Sequence, residues 1–378
     1  MDMTTKLSVP PRLISDLSDM ATPALLIDLP TVERNVRKMA EYAQSHKLDL
    51  RPHTKTHKSL LTARLQARAG AKGLTVAKVG EAEVMSEVSD DLLVAYPLVD
   101  RARVQRIASL AKQQSMRVAI DSTTACDVIA QATSRFGSTV GILVDVDVGF
   151  HRTGVQDAEG ALRIAEHVER ADSLRLDGIM CFPGHLNSPP DRQDRELSKI
   201  DRKLREVIDY WYEHGLDARV VSGGSTPTAR QSHLISALTE IRPGTYVYND
   251  WNSVAGGYCD IDDCAASVLC TVVSDAVPGK VVVDAGSKAL TSDRNVHLGE
   301  AGGYGHVVGY PGARVVRLSE EHGEIDVEGC EDRPAVGERL RIIPNHICPA
   351  VNLQDHFWID RGDGSYEQAR VDARGLLS

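Results

Sequence analysis

No run in this 378-residue chain approaches the ~20 consecutive apolar residues that a membrane-spanning helix needs. No CxxC pair occurs either. The seven cysteines are an odd number scattered over a long chain, which argues against a disulfide framework. The opening MDMTTKLSVPPRLISDLSDM lacks a basic start followed by an apolar stretch, so no secretory signal is expected. Basic excess is missing too. The 43 Lys and Arg are outnumbered by 53 Asp and Glu, and a net charge of −10 disfavours nucleic acid, whose phosphates need a basic face. These absences point to a reducing cytoplasm and away from nucleic-acid and membrane partners. The remaining balance, 42% hydrophobic and 25% charged, is that of a globular protein with room for one large domain and a smaller one.

What is present is alternation. A β-like run at 24–29 (ALLIDL) precedes a helix for which Thr31 is the expected N-cap, with Val32, Val36, Met39 and Ala43 on one face. Eight further strand candidates follow, at 48–53, 73–78, 92–97, 116–121, 141–147, 176–182, 218–223 and 240–248. Helix-like segments separate most of them, the clearest at 191–214 with Leu197, Ile200, Leu204, Ile208 and Trp211 as an apolar stripe. Eight strands alternating with helices over roughly 200 residues predict an α/β fold of the (β/α)₈ TIM-barrel type, with a doubly wound sheet as the alternative. After about residue 264 the helical period fades and β-like segments dominate. The expected organisation is a barrel over 30–263 and a C-terminal all-β domain over 264–378, joined by the strand at 22–29.

Residues with chemical potential gather just after the predicted strands, where barrels place their active sites. RPHTKTHK (51–58) sets two lysines and two histidines at the end of one strand. A lysine there faces the barrel mouth, and desolvation with nearby cations suits it to carbonyl chemistry; a solvated basic loop is the plainer reading. SGGSTPT (222–228) and RPGTY (242–246) follow the last two barrel strands, where glycines and hydroxyls suit a phosphate ester. DVDVGFHRTG (145–154) brings Arg152 to the same rim. In PNHICP (344–349), His346 and Cys348 at i and i+2 of an extended segment would point to one side, and an imidazole with a thiolate suits a transition metal; incidental structural residues are the alternative.

Together, RPHTKTHK, VDVGFHRTGV, GGSTPT, RPGTYVYND, DAGSK, LSEEHG and PNHICPAVNLQD run from near the N-terminus almost to the end. In these motifs the chain resembles the D-threonine aldolase and D-serine dehydratase family of alanine-racemase-like (fold-type III) pyridoxal-phosphate enzymes. The resemblance implies that Lys55 carries pyridoxal 5'-phosphate (PLP) covalently and that Arg152 bonds the pyridine nitrogen. It implies a cofactor grip from Gly224, Ser225, Thr226, Gly244, Thr245 and Tyr246. His346 and Cys348 would bind a divalent metal, Zn²⁺ or Mn²⁺, and the assembly would be a homodimer. Family aldolases carry a histidine beyond the sixth barrel strand that acts on the β-hydroxyl proton. Here Ser188 stands near that place, with His185 as the candidate base. Cys348 is dehydratase-like, whereas the following VNLQD is aldolase-like.

The expected activity is therefore a metal- and PLP-dependent lyase that cleaves D-3-hydroxy amino acids, D-threonine-like, to glycine and an aldehyde. The alternatives are a D-serine or D-3-hydroxyaspartate dehydratase giving a 2-oxo acid and ammonia, an amino-acid racemase, and a non-catalytic PLP carrier.

Overall fold

The computed structural model of the chain describes residues 12–378. A short strand β1 (Leu13–Ile14) and β2 (Ala24–Asp28) lead into helix α1 (Leu29–Ser45). Alternation then sets in with β3 (Asp49–Leu50), α2 (Leu60–Arg68), β4 (Leu74–Val76), α3 (Val79–Met85), β5 (Asp91–Val94) and α4 (Arg101–Leu110). It continues through β6 (Ser115–Ile120), α5 (Thr123–Phe136), β7 (Val140–Val146), α6 (Ala158–Glu169), β8 (Leu174–Cys181), α7 (Asp194–Glu213), β9 (Val220–Gly223) and β10 (Glu240–Ile241).

The eight strands from β3 to β10 form one parallel sheet in the order β3-β10-β9-β8-β7-β6-β5-β4. Its two ends meet where Thr54 N donates to Thr75 O and Thr75 N donates to Pro52 O, each at 2.8 Å, with His53 bridging Thr75. The alternation thus yields the expected barrel rather than a doubly wound sheet. β7 (VGILVDV) is buried at all seven positions, as a parallel strand covered on both faces must be.

Local details depart from the expectations. The cap of α1 is Asp28, whose carboxylate accepts from Thr31 N at 2.7 Å, and not Thr31. The helix starts earlier because Pro30, which has no amide hydrogen to satisfy, fits its first turn. Val32, Val36, Met39 and Ala43 are buried as the spacing requires. On α7, Val207 takes the buried place expected of Ile208. The run at 240–248 is strand for two residues only, because Pro243 lacks an amide hydrogen and the chain then winds into a 3₁₀ turn at Thr245–Val247.

The barrel interior below the site is ionic. Arg51, 1% exposed, reaches Asp91 at 2.8 Å and Glu240 at 2.7 Å. Arg117 links Asp91 at 2.7 Å to Asp177 at 2.8 Å. Two glycines clear the space: a Cβ at Gly73 would lie 2.2 Å from Arg51 Nη1, and one at Gly141 would lie 2.2 Å from Asp177 Oδ2.

After α8 (Trp251–Ala255) come β11 (Ala266–Ser274), β12 (Lys280–Val283), α9 (Ser287–Leu290), β13 (Gly305–Val307), β14 (Arg314–Leu318), β15 (Gly323–Asp326), β16 (Arg339–Pro344), α10 (Ile347–Leu353), β17 (His356–Asp360) and β18 (Tyr366–Arg370). These strands join β1 and β2 in a second, mostly antiparallel sheet of ten strands, closed on itself by a β11–β16 pairing. β2 lies between β11 and β17 there. The short helices α9 and α10 interrupt the β-texture; neither is long enough to display a period in the sequence. Among the described residues, no helix is long and apolar enough to cross a membrane.

Lys58 serves the fold and not the barrel mouth. Its Nζ pairs with Glu81 at 3.0 Å, with side chains 4% and 2% exposed, and donates to Ala373 O at 3.3 Å. The pair ties the C-terminal tail to α3. Glu81→Ala leaves a buried ammonium without its anion and is expected to cost about 3–5 kcal/mol. The check is urea unfolding followed by circular dichroism, read as a fall in the midpoint.

Candidate active site

The C-terminal ends of the barrel strands open onto a cavity of about 510 Å³, a fitting volume for a ring-sized cofactor with a small substrate. Each wall is built by one of the loops that the sequence singles out.

The first wall follows β3. Thr54 caps a tight turn in which its carbonyl accepts from Lys58 N at 2.9 Å. The turn sends Lys58 down into the fold and leaves Lys55 exposed at the cavity. His53 lines the same wall. Burial first, then the charges of Lys55 and Arg242, hold its imidazole well below the usual range, so it is neutral. His57 is fully buried, and burial brings its pKa down to about 4.

The second wall is made by Gly224, Ser225, Thr226, Gly244 and Thr245, all of which line the cavity. Gly224 sits at φ +82°, the left-handed region, and lets the chain turn back after β9. Ser225 N donates to Thr228 Oγ1 at 3.1 Å, which closes the turn. A Cβ at Gly244 would come within 3.1 Å of His53 O and 3.2 Å of Thr56 Oγ1, so a larger residue would push the two walls apart by a few tenths of an ångström. Tyr246 is placed differently. Its phenol turns away from the cavity and accepts from Gln66 Nε2 at 3.1 Å; only its backbone joins this wall, with N donating to Thr226 Oγ1 at 3.2 Å.

The third wall is the loop after β7. Asp147 Oδ1 accepts from the amides of Gly149, Phe150 and His151, each at 3.0 Å. Burial works against that charge, yet the amides and His151 keep its pKa down at about 2. So anchored, the loop presents Arg152 to the cavity, its guanidinium 4.9 Å from the Phe150 ring centre and 5.0 Å from that of Phe182. Gly184 makes room for this clamp, since a Cβ there would lie 2.3 Å from Phe182 Cε1. His185 packs on Gly149, where a Cβ would lie 3.1 Å from its ring. It flanks the cavity rather than lining it. Burial lowers its pKa despite Glu196 and Asp147, and its Nδ1 is buried without a partner.

The His346–Cys348 pair stands behind Thr56 and Thr245, whose hydroxyls lie 3.2 and 3.8 Å from Cys348 Sγ. The pair is not on an extended segment, as the sequence suggests: His346 caps α10 and Cys348 lies in its first turn. The two still meet, because His346 keeps extended dihedrals (φ −136°, ψ 107°) while the helix begins behind it. Although burial opposes it, the bond to Cys348, with Asp250 and Asp293, raises the imidazole to about 9. Burial likewise opposes the Cys348 thiolate, and His346 and Lys55 lower its pKa nonetheless. His346 Nδ1 bonds Asp293 Oδ2 at 2.7 Å. Asn345, 1% exposed, steadies that loop by donating to Asp293 O and Gly303 O. Among the described residues, no cluster of three or more His, Cys, Asp or Glu is set to hold a metal ion.

Two family models cover nearly the whole molecule: the alanine racemase N-terminal domain over residues 27–250 and a putative serine dehydratase domain over 265–359. The chain belongs to the D-threonine aldolase and D-serine dehydratase family of alanine-racemase-like enzymes. A 3-hydroxy-D-aspartate aldolase of Paracoccus denitrificans is 31% identical over 95% of this chain and 94% of its own. The crystal structure of D-threonine aldolase from Filomicrobium marinum matches with a TM-score of 0.87 at 31% identity, covering 96% of this chain and 98% of its own. A cysteine-to-alanine variant of a D-threo-3-hydroxyaspartate dehydratase, solved in a metal-free form, matches with a TM-score of 0.86 at 29% identity over 93% and 98%. The protein is accordingly a PLP-dependent lyase of aldolase-like or dehydratase-like type.

The cavity fits that cofactor. An amine stands on one wall, and a glycine cradle with hydroxyls stands on the next. Among the lining residues not given a role from sequence are Arg242, Asp145, Phe182 and Tyr96. Arg242 could have been found, since it opens the RPGTY segment inside a strand, where a charge needs a reason. Phe182 and Tyr96 carried no comparable signal.

Asp147→Ala removes the acceptor of three amides and releases the Arg152 loop. Cofactor affinity is expected to fall about tenfold or more, with far-ultraviolet circular dichroism unchanged. Equilibrium titration of the apoenzyme with PLP measures it.

Proposed function

We propose that this lyase is an aldolase that cleaves D-3-hydroxy amino acids of the D-threonine type to glycine and an aldehyde. The observation that carries the reading is the meeting, in one cavity, of the Lys55 amine, a phosphate-suited cradle after β9 and β10, and the His346–Cys348 pair just behind. When bound, PLP supplies an electron sink for a bond broken at the substrate's α-carbon.

The chain's own residues prepare that chemistry. Lys55 Nζ attaches the cofactor and can hold or return the proton at the α-carbon. Ser225 and Thr226 hydroxyls, with the backbone of Gly224, Gly244, Thr245 and Tyr246, grip the phosphate. A guanidinium only donates, so Arg152 would hold the cofactor's ring nitrogen as an acceptor. The Phe150 and Phe182 rings lie against one side of the guanidinium and leave its tip exposed at the cavity.

His346 and Cys348 are the proposed ligands of a divalent metal, Zn²⁺ or Mn²⁺. Their donor set, an imidazole nitrogen and a thiolate, suits those ions, and Asp293 fixes the ring through the opposite nitrogen in the usual outer-shell manner. A metal there would act as a Lewis acid toward a substrate oxygen. The similarity to a dehydratase whose cysteine-to-alanine variant was solved in a metal-free form supports the reading. Two protein ligands leave positions for water and substrate.

His185 is the proposed base for the β-hydroxyl proton, because burial lowers its pKa and it packs on Gly149 of the Arg152 loop at the edge of the cavity. The second reading, a D-serine or D-3-hydroxyaspartate dehydratase, is favoured by the thiol at Cys348. We also propose a homodimer that works in the cytoplasm.

Product analysis separates the readings. With D-threonine and D-3-hydroxyaspartate, glycine and an aldehyde are expected; a 2-oxo acid and ammonia would make it a dehydratase. His185→Ala is expected to lower kcat/KM for cleavage about 100-fold or more; an undiminished rate would assign the proton to another group. Chelation followed by dialysis should abolish turnover and Zn²⁺ or Mn²⁺ should restore it, whereas Cys348→Ala should remain inactive after metal addition.

A further inference from the structure

Two guanidiniums face the cavity, Arg242 from its floor and Arg152 from the wall after β7. Arg242, at the end of β10 and 5% exposed, donates from Nη1 to Ser222 Oγ and from Nη2 to Cys181 O, both at 2.7 Å and both neutral acceptors. Arg152 rests beside the Phe150 and Phe182 rings. A buried guanidinium with only neutral hydrogen-bond partners calls for anions nearby, and Glu240 below and Asp145 beside it supply them. Among the described residues that line the cavity, one carboxylate does so: Asp145, at the C-terminal end of β7 and 3% exposed. Its Oδ2 accepts from Thr153 Oγ1 at 2.8 Å, in the residue after Arg152.

We propose that Asp145 is a positioning residue of this site: its carboxylate lines the same cavity as the Arg242 and Arg152 guanidiniums, orients Arg152 through the Thr153 turn, and by its ionisation sets the charge of the cavity that would hold the cofactor. The proposal rests on the reading of the cavity as the PLP site. The groups around Asp145 are Asp121 from the end of β6, which accepts from Gly154 N at 3.1 Å, Arg152 from its own loop, Cys181 from β8, Arg242 from β10, and His53 and Lys55 across the cavity. Burial pushes Asp145 up to about 6, with Thr153 and the two arginines pulling the other way. His53 is held well below its usual range and Cys181 is pushed up to about 12, so neither titrates there. The carboxylate is protonated and neutral below that pH and ionised above it.

The test uses the holoenzyme and reads the visible absorption of its bound cofactor against pH, beside kcat/KM for D-threonine. The wild type is expected to show one spectral transition centred near pH 6, matched by an acid limb in kcat/KM. Asp145→Asn, uncharged at every pH, should lose both while retaining PLP as measured by alkaline release. Thr153→Val removes a bond that favours the charged form and should move the midpoint upward by roughly 0.5–1 unit. A residue that merely packed would leave the midpoint where it was. A transition that persists unchanged in Asp145→Asn, or that Thr153→Val fails to move, overturns the proposal. A wild type that takes up no PLP overturns the underlying reading, and the proposal with it.

Discussion

Everything at the rim stands on an ionic layer inside the barrel. Arg51 from the end of β3 spans to Asp91 on β5 and Glu240 on β10, and Arg117 on β6 carries the link on to Asp177 on β8. Five of eight strands are thus joined by charge in a place where barrels usually stack branched apolar side chains. In a low-dielectric interior such a layer tolerates little displacement, because each ion left without its partner costs about 3–5 kcal/mol. The layer closes the barrel below and leaves an open cavity above. It also reaches upward: Glu240 bonds Ser222, and Ser222 holds Arg242 at the cavity floor.

Above that floor the loops are set before any ligand arrives. Asp147 organises the Arg152 loop by accepting three amides. Asp250 plays a matching role on the other side. Buried at the start of α8, it receives Ser253 N at 2.9 Å through one oxygen and Ile347 N at 3.2 Å through the other, and so fixes the turn between His346 and Cys348. Both are carboxylates satisfied by backbone amides. The groups with open valence, Lys55, Arg152 and the two glycine-rich turns, are left for ligands. Rigid support with unsatisfied tips is the arrangement that pre-organised chemistry requires.

Much of this was legible in the sequence. The barrel followed from strand–helix alternation, and the site followed from the placement of RPHTKTHK, GGSTPT and RPGTY at strand ends. What escaped had physical reasons. The ionic layer pairs residues 26 to 189 positions apart, such as Arg51 with Glu240, so no local pattern betrays it. Its traces were charges within the predicted strands: Arg51 in LDLRPH, Arg117 in MRVAID, Asp177 in LDGIMCF and Glu240 in EIRPGTYVY. The phenol of Tyr246 lies beside glycine and threonine in the chain, yet points to Gln66, because the 3₁₀ turn after Pro243 rotates it out of strand register. His185 follows a strand end as expected, but the turn at Pro183–Gly184 carries it to the flank. Cys348 belongs to a seven-residue helix, which is too short to show a period.

The central claim is that Lys55 is the point of covalent attachment for the cofactor. Reduction of the holoenzyme with borohydride, followed by proteolysis and mass analysis of the peptides, tests it directly. The account predicts a pyridoxyl phosphate adduct on the peptide carrying Lys55. An adduct on Lys58 or Lys78 with Lys55 unmodified would contradict it, as would a reduced holoenzyme with no labelled lysine at all.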